Sequence, residues 1–560
     1  MKLKRRFLTV GDRRVHYFRA GDGPPVVLIH SSPASARLMM KEIARLSGDY
    51  TVFAFDTPGF GLSDPLPMAE LEVADLADAM AETLAAIGMP PCPIFGTHTG
   101  AAIALELGAR HPRVATGMVL DGVPAFTDEE CERFFADYFR TLPLSDLGGH
   151  YSEAWTRFRD QSLWFPWSAR TPDHLNRYDL SPPHSTHLWV SMYFEAAEHY
   201  IPAYRAASYY GSRALTAAAK LTVPTVYTAA HTDMLYAHLE RLPPLKPNQR
   251  IADIGDSFQR KRDLIAEAFA EFGLPGRAPA DRDSIGSSAA ISRQFVDGRS
   301  GELHLRFAGQ ETSPPLLLIH DAPGSAEQSE PLIARLAERF FVIAPDLPGN
   351  GESDAHPASP SIDDYALDGM ALLDQLGINR AFVYGVGFGS SVALAIAAIY
   401  EARVVAVAIQ GLALPDPAER ADLVAHYAPP IEIEPDGAHW YRTWLMLRDS
   451  QVYWPWYVRT LAAQRGVAAD FSARPLHRWT MDVMRARATY GALITASLAD
   501  DAAARLDRLA VPVALVRDPA TPLSHFDDRL VALAPAARLL SPGADLARSL
   551  FELGEMSDGR

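Results

Sequence analysis

Much of this chain is written twice. RVHYFRAG at 14–21 pairs with ELHLRFAG at 302–309, and VVLIHSSPAS at 26–35 pairs with LLLIHDAPGS at 316–325. FDTPGFGLSD at 55–64 pairs with PDLPGNGESD at 345–354, and RDQSLWFPW at 159–167 pairs with RDSQVYWPW at 448–456. The separation stays between 288 and 290 residues. That period is far too long for a solenoid repeat and points to a duplicated domain. Between the copies, LPGRAPADRDSIGSSA at 274–289 is rich in Pro, Gly, Ser and charge, and reads as an exposed linker. The expected layout is a first domain over 1–275, a linker over 276–289 and a second domain over 290–560. The two halves are expected to pack as an intramolecular pseudo-dimer.

Composition narrows the partners. The chain is 48% hydrophobic and 21% charged, an ordinary globular balance. Lys plus Arg number 52 against 68 for Asp plus Glu, a formal charge of −16. Neither nucleic acid nor an anionic membrane surface is therefore an expected partner. Cys92 and Cys131 are too few for a disulfide framework and read as buried thiols of a reducing compartment. Met1–Phe7 is basic, but Asp12, Arg13 and Arg14 follow before any apolar core, so no export signal is expected. Ala381–Tyr400 is an uncharged run of 20 residues, the length of a membrane span. Gly385, Gly387 and Gly389 break it, which favours a strand, a turn and an alanine-rich helix. The expectation is a soluble, cytoplasmic protein.

Within each copy short apolar runs alternate with helical periodicity. In the first copy VVLIH, TVFAFD, PIFG, ATGMVLDG and PTVYTAA read as buried parallel strands ending at turns. Such alternation predicts a mostly parallel sheet with helices on both faces, whose sites lie at the carboxyl ends of the strands.

The motifs then carry a resemblance. His30 with Pro33 after one strand, Asp56-x-Pro58-Gly59-x-Gly61-x-Ser63-Asp64 after the next, and a later Gly-x-x-x-Gly turn resemble the α/β-hydrolase fold. GTHTG with the RDxxxxxPW segment also resembles a bacterial α/β-hydrolase subgroup with a G-x-H-T-G elbow. The resemblance implies two α/β-hydrolase fold domains, each with a helical cap, at about 122–220 and about 412–508. It also implies a nucleophile at the middle of a G-x-S-x-G elbow. Neither copy has one. The first reads Gly96-Thr97-His98-Thr99-Gly100 and the second Gly385-Val386-Gly387-Phe388-Gly389. The place of the family's histidine reads Ile254-Gly255-Asp256-Ser257-Phe258 in the first copy and Pro542-Gly543-Ala544-Asp545-Leu546 in the second. A Ser-His-Asp relay is thus excluded in both halves, since it needs a nucleophile with a base in reach.

The halves differ in what remains. The first keeps His98 at the tip, Asp121 after the sixth strand and Asp233 after the seventh. The second has Gly387, Gln410 and Thr521 there, with Asp518 displaced, and is expected to be the degenerate copy. The helix N-terminus under His98 should keep its ring neutral, leaving a general base that Asp121 or Asp233 orients. An acyl-imidazole, with His98 as nucleophile, is the less favoured route. An oxyanion hole is expected from the backbone of Thr99 and of Ser31 or Ser32. His231 and His238 are further candidates for a relay, and His30 matches the family's structural histidine beside the oxyanion loop. Arg159 with Asp160, and Arg448 with Asp449, read as structural ion pairs of the caps. The aromatic-rich first cap, with Trp155, Trp164 and Trp189, is expected to line an apolar pocket together with His30 and His231. No metal-ligand or nucleotide-binding spacing stands out, so neither a metal nor another cofactor is expected. The leading expectation is an enzyme acting on a hydrophobic carbonyl, ester or lactone small molecule. The alternatives are a non-catalytic small-molecule binding protein and a C–C or C–O lyase or isomerase.

Overall fold

The computed structural model describes residues 3–176, 179–273, 276–281, 288–543 and 545–558. The chain divides into two compact units, Met1–Pro143 with Ser152–Arg282, and Leu144–Tyr151 with Asp283–Arg560. Each unit holds one eight-stranded sheet.

In the first unit the strands are β1 (Leu3–Val10), β2 (Arg13–Ala20), β3 (Pro25–Ile29), β4 (Thr51–Phe55), β5 (Cys92–Thr97), β6 (Ala115–Asp121), β7 (Thr225–Thr228) and β8 (Gln249–Ile251). Their order is β1-β2-β4-β3-β5-β6-β7-β8. β2 pairs antiparallel with β1 and β4, and the remaining pairs are parallel. The second unit repeats this with β9 (Ser288–Asp297), β10 (Glu302–Gly309), β11 (Pro315–Ile319), β12 (Phe341–Pro345), β13 (Ala381–Val386), β14 (Val404–Gln410), β15 (Val513–Val516) and β16 (Arg538–Leu540). Their order is β9-β10-β12-β11-β13-β14-β15-β16, the same topology eight strands later. The mostly parallel sheets with flanking helices are the fold class that the motifs implied.

The five apolar runs of the first copy fall on β3 to β7. β3, β4 and β7 are buried along their whole length, which explains continuous apolar runs in place of alternation. Val26, Leu28, Val52, Ala54, Phe95, Val119 and Val226 pack on one face against Ile265 and Phe269 of the helix Phe258–Glu271. Each such large side chain stabilises by roughly 1.5–3 kcal/mol on burial. The uncharged run at 381–400 splits as its glycines require, into β13 and the helix Gly389–Ile399. Among the described residues no helix is long and apolar enough to cross a membrane.

Three expectations need amendment. Residues 282–287 of the proposed linker lie outside the described residues, but Asp281 is held in place. It accepts from Arg6 Nε at 2.9 Å and Nη2 at 2.8 Å and from Lys4 at 2.9 Å, where charge-assisted contacts outweigh chain entropy. The cap range of the first copy also includes Leu144–Tyr151, which belongs with the second unit. There Tyr151 stacks on Trp440 at 5.7 Å and its hydroxyl lies 3.1 Å from His477 Nδ1. Finally, the acids of the cap motif pair ten residues onward and not with their neighbours: Asp160 with Arg170 at 2.8 Å, and Asp449 with Arg459 at 2.6 Å.

Close backbone approach fixes the strand-to-helix turn after β5. A Cβ at Gly100 would run into the carbonyl oxygens of Ile29 and His30. Gly389 meets His320 O in the same way. Gly100→Ala should therefore destabilise by about 1–3 kcal/mol, measured as a lower thermal midpoint. Gly48→Ala, where a Cβ would meet nothing within 4 Å, should leave the midpoint within a degree or so of wild type.

Candidate functional site

β5 delivers the chain directly into the helix Thr99–Arg110, and His98 is the residue at the turn. Its backbone is at φ 50°, ψ −110°, and it is the one non-glycine residue with positive φ among those described. Such a conformation costs roughly 1–3 kcal/mol and persists where the surroundings impose it. Here His98 N donates to Asp121 O at 2.8 Å, and His98 O accepts from Ala102 N at 2.9 Å.

The side chain is placed by a second element. Nε2 lies 2.7 Å from Asp233 Oδ2. The other Asp233 oxygen accepts from Leu235 N at 2.9 Å, which caps the short helix Met234–Arg241 and fixes the carboxylate. The Cδ2–Nε2 edge of the ring faces Gly122. The His98 side chain keeps 43% of its surface exposed, and its Nδ1 makes no hydrogen bond to any described residue.

Electrostatics correct one expectation. Partial burial opposes a positive ring, but the Asp233 carboxylate, aided by Asp121, outweighs burial and the Lys261 ammonium. The His98 pKa is therefore raised above the usual imidazole value, where the helix N-terminus alone would have kept the ring neutral. In Asp233, burial pushes the carboxyl up, but the charge and hydrogen bond of His98 hold it down at about 2.

Asp121 takes another part. Its Oδ2 accepts from Thr97 Oγ1 and from Lys261 Nζ, both at 2.9 Å. Asp233 is thus the acid that holds His98, and Asp121 is tied to a lysine. Sequence reasoning missed Lys261. It lies on the helix Phe258–Glu271, where a lysine ordinarily marks a solvated face, and nothing in its spacing signals that it turns inward.

In the second unit two backbone N–H groups converge on one carboxylate oxygen. Asp321 Oδ1 accepts from Ala322 N at 2.7 Å and from Phe388 N at 2.8 Å. The duplication sets Ser32 opposite Ala322 and Thr99 opposite Phe388. The corresponding N–H groups in the first unit are those of Ser32 and Thr99. Thr99 opens its helix, where an N–H has no intrahelical acceptor. Ser31 sits opposite Asp321, and its carbonyl is engaged by His30 Nδ1 at 2.9 Å and Ala34 N at 3.1 Å. The Ser32 hydroxyl is buried without a hydrogen-bond partner among the described residues.

The remaining candidates stand elsewhere. His30 is fully buried; its Nδ1 donates to Ser31 O, and its Nε2 accepts from Thr57 N at 3.0 Å, so both nitrogens belong to the scaffold and not to a pocket wall. His231 pairs with Asp253 at 2.8 Å, and His238 Nδ1 accepts from Ala125 N at 3.0 Å. Neither joins the His98–Asp233 pair. Trp155 is buried in the cap, Trp189 stacks on Phe158 at 6.3 Å, and Trp164 bridges to Leu175. Several cap rings, Phe158, Trp167, Tyr193 and Tyr200, surround the buried Arg157 guanidinium at 5.1–5.7 Å. They form a cap core around a cation. In the second unit Gln410 joins the displaced acid, donating to Asp518 Oδ2 at 2.9 Å and Thr521 Oγ1 at 3.2 Å. Its elbow is not empty, because Asp321 fills it. Among the described residues, no group of three or more His, Cys, Asp and Glu side chains converges as a metal site would.

Comparison with known proteins adds the family. One relative is the (E)-2-((N-methylformamido)methylene)succinate hydrolase of Acinetobacter baylyi, 32% identical over 113 residues, which are 20% of this chain and 43% of that protein. An uncharacterised hydrolase of Saccharomyces cerevisiae is 33% identical over 110 residues, 19% of this chain and 37% of its own. The chain thus spans less than half the length of these curated relatives. Among solved structures, epoxide hydrolase A of Mycobacterium thermoresistibile is 22% identical, with a TM-score of 0.37 over 48% of this chain and 98% of that one. The pattern of the alpha/beta hydrolase fold matches residues 24–250 and 314–430, in both units. With both sheets in the same strand order, the chain belongs to the alpha/beta hydrolase fold family.

Proposed function

We propose that the first unit hydrolyses a hydrophobic ester or lactone, with His98 as general base and water as the nucleophile. The observation that carries this reading is the His98–Asp233 pair at the turn after β5, with Nδ1 left open. In the neutral ring, Nε2–H donates to Asp233, and Nδ1 presents its lone pair on the opposite edge. Asp233 fixes that tautomer and offsets the charge that forms when the ring takes a proton. A water attacking the carbonyl carbon gives its proton to Nδ1. The carbonyl oxygen becomes an oxyanion at the N–H groups of Ser32 and Thr99, with the Ser32 hydroxyl as a further donor. The imidazolium then returns the proton to the departing alkoxide. The hydrolase names of the curated relatives support the reaction class. The aromatic cap supports an apolar substrate.

Turnover of aryl and alkyl esters and lactones by the full chain tests this. His98→Ala should lower kcat/KM by about 10²–10⁴. Absence of turnover in wild type, with equal ligand binding by both proteins, would instead assign a receptor. Turnover confined to β-dicarbonyl compounds would assign C–C bond cleavage.

The pH dependence follows from the raised His98 pKa. The base is the neutral ring, so kcat/KM should climb with pH through an inflection above the ordinary imidazole value of about 6.5. Asp233→Asn removes the group that raises the pKa, so the inflection should move to lower pH and the plateau should fall. An unmoved inflection would assign the titration to another group.

Stability should carry the opposite sign. A folded-state pKa above the unfolded one contributes stability that is fully present below about pH 6.5 and lost as pH rises through the folded value. The difference in thermal midpoint between wild type and His98→Ala should therefore be larger at pH 6 than at pH 9.

A further inference from the structure

The second unit holds a half-buried acid that the chemistry of the first does not use. Gly387 makes the turn after β13 at φ 56° without a side chain. Asp321, from the loop after β11, places its carboxyl group in the space that a side chain at 387 would need; a Cβ there would overlap it. Both N–H donors of the turn converge on Oδ1. Oδ2 makes no hydrogen bond to a described residue, and Asp321 forms no ion pair among those residues. Burial pushes its carboxyl up to about 7, against the pull of the two N–H groups. A carboxylate taken from water without a counter-cation is costly, and two backbone dipoles repay only part of that cost.

An aromatic row runs from it to the surface: Phe388 and Tyr427 are buried, Trp454 is half-buried and His525 is exposed. The Phe388 ring lies 5.3 Å from Tyr427, Tyr427 lies 5.5 Å from Trp454, and Trp454 lies 5.9 Å from His525. Tyr427 is close enough to feel the acid: burial first, and then the charge of Asp321, raise its phenol pKa. Trp456 Nε1 donates to Tyr427 O at 2.9 Å and braces the row. The first unit lacks this arrangement, with Ser31 opposite Asp321 and Thr99 opposite Phe388.

We propose that the second unit binds an organic cation, an ammonium group on a hydrophobic body, with the charge at Asp321 and the body against the half-buried Trp454. The carboxylate supplies the missing half of an ion pair, and the Trp454 ring gives the apolar body a surface. A neutral or anionic ligand would leave the acid uncompensated. This site is independent of any reaction in the first unit.

Benzyltrimethylammonium, whose charge does not titrate, is the probe, and calorimetric titration of the full chain is the measurement. Saturable binding at one site is expected. Asp321→Asn should weaken it at least about tenfold, a loss of about 1.4 kcal/mol. The Asn carbonyl still accepts from Ala322 and Phe388, so this variant should melt no lower than wild type. Trp454→Ala should also weaken binding, and His98→Ala should leave it unchanged. Absence of saturable binding in wild type, undiminished binding in a folded Asp321→Asn, or equal affinity for benzyl alcohol would each overturn the proposal.

Discussion

A buried carboxylate in each unit holds together the loops on which everything else rests. Asp56 follows β4 and is 2% exposed. It accepts from Ala36 N at 2.7 Å, from Leu62 N at 2.9 Å and from His16 Nδ1 at 2.8 Å. One side chain thus ties the loop after β3, the loop after β4 and β2. Burial opposes its ionisation, but His16, His30 and the Leu62 N–H overcome this and lower its pKa. Asp346 repeats the arrangement with Ala326 N, Glu352 N and His304. Gly61 and Gly351 are required because a Cβ at either would strike the same carboxylate. The second copy has lost the histidine of the elbow but kept this hub. Losing one partner of a buried charge is costly, and every partner of this one is kept.

The two elbows are alternative fillings of one space. The turn after β13 faces the loop after β11, where a Cβ at Gly387 would meet Asp321. When the tip carries a ring, as at His98, that ring reaches Asp233, and the loop position corresponding to Asp321 holds Ser31. When the tip is Gly387, the loop can reach in, and Asp321 does. The two units thus differ at both the tip and the loop position. The turn itself persists in both, at φ 50° for His98 and φ 56° for Gly387.

Most of the fold was legible because it rests on local pattern: continuous apolar runs for strands buried on both faces, and glycines where strand and helix touch. The same held for Gly385, Gly387 and Gly389, which turned a span-length apolar run into strand and helix. The site was only half legible. Position along the chain found His98 and both acids, since each follows a strand end. It could not say which acid would meet the ring, because that depends on how the short helix after β7 is capped, and a side chain of two bonds reaches little further than its own loop. Lys261 and the cap pairs of Asp160 and Asp449 were hidden for a related reason. Long charged side chains choose partners by reach across the fold, and adjacency in sequence says little about them. His30 and His231 look alike in sequence; burial with two backbone partners separates the first, and an exposed aspartate claims the second.

The division of labour between the two acids follows from charge balance. Asp121 and Asp233 lie on neighbouring strand ends, and both feel the same cations. Were both to face His98, two carboxylates would favour the charged ring. Lys261 prevents this. Its ammonium, 17% exposed and 2.9 Å from Asp121 Oδ2, neutralises the more deeply buried acid and lowers the pKa of His98 against the pull of Asp233. A chain that lacks the family's histidine after β8 still leaves Asp121 needing a positive partner, since an unpaired carboxylate at that depth is costly. The lysine one turn into the next helix meets that need. The ring at the elbow is left with a single carboxylate, enough to fix its tautomer and to offset the charge that forms when it accepts a proton.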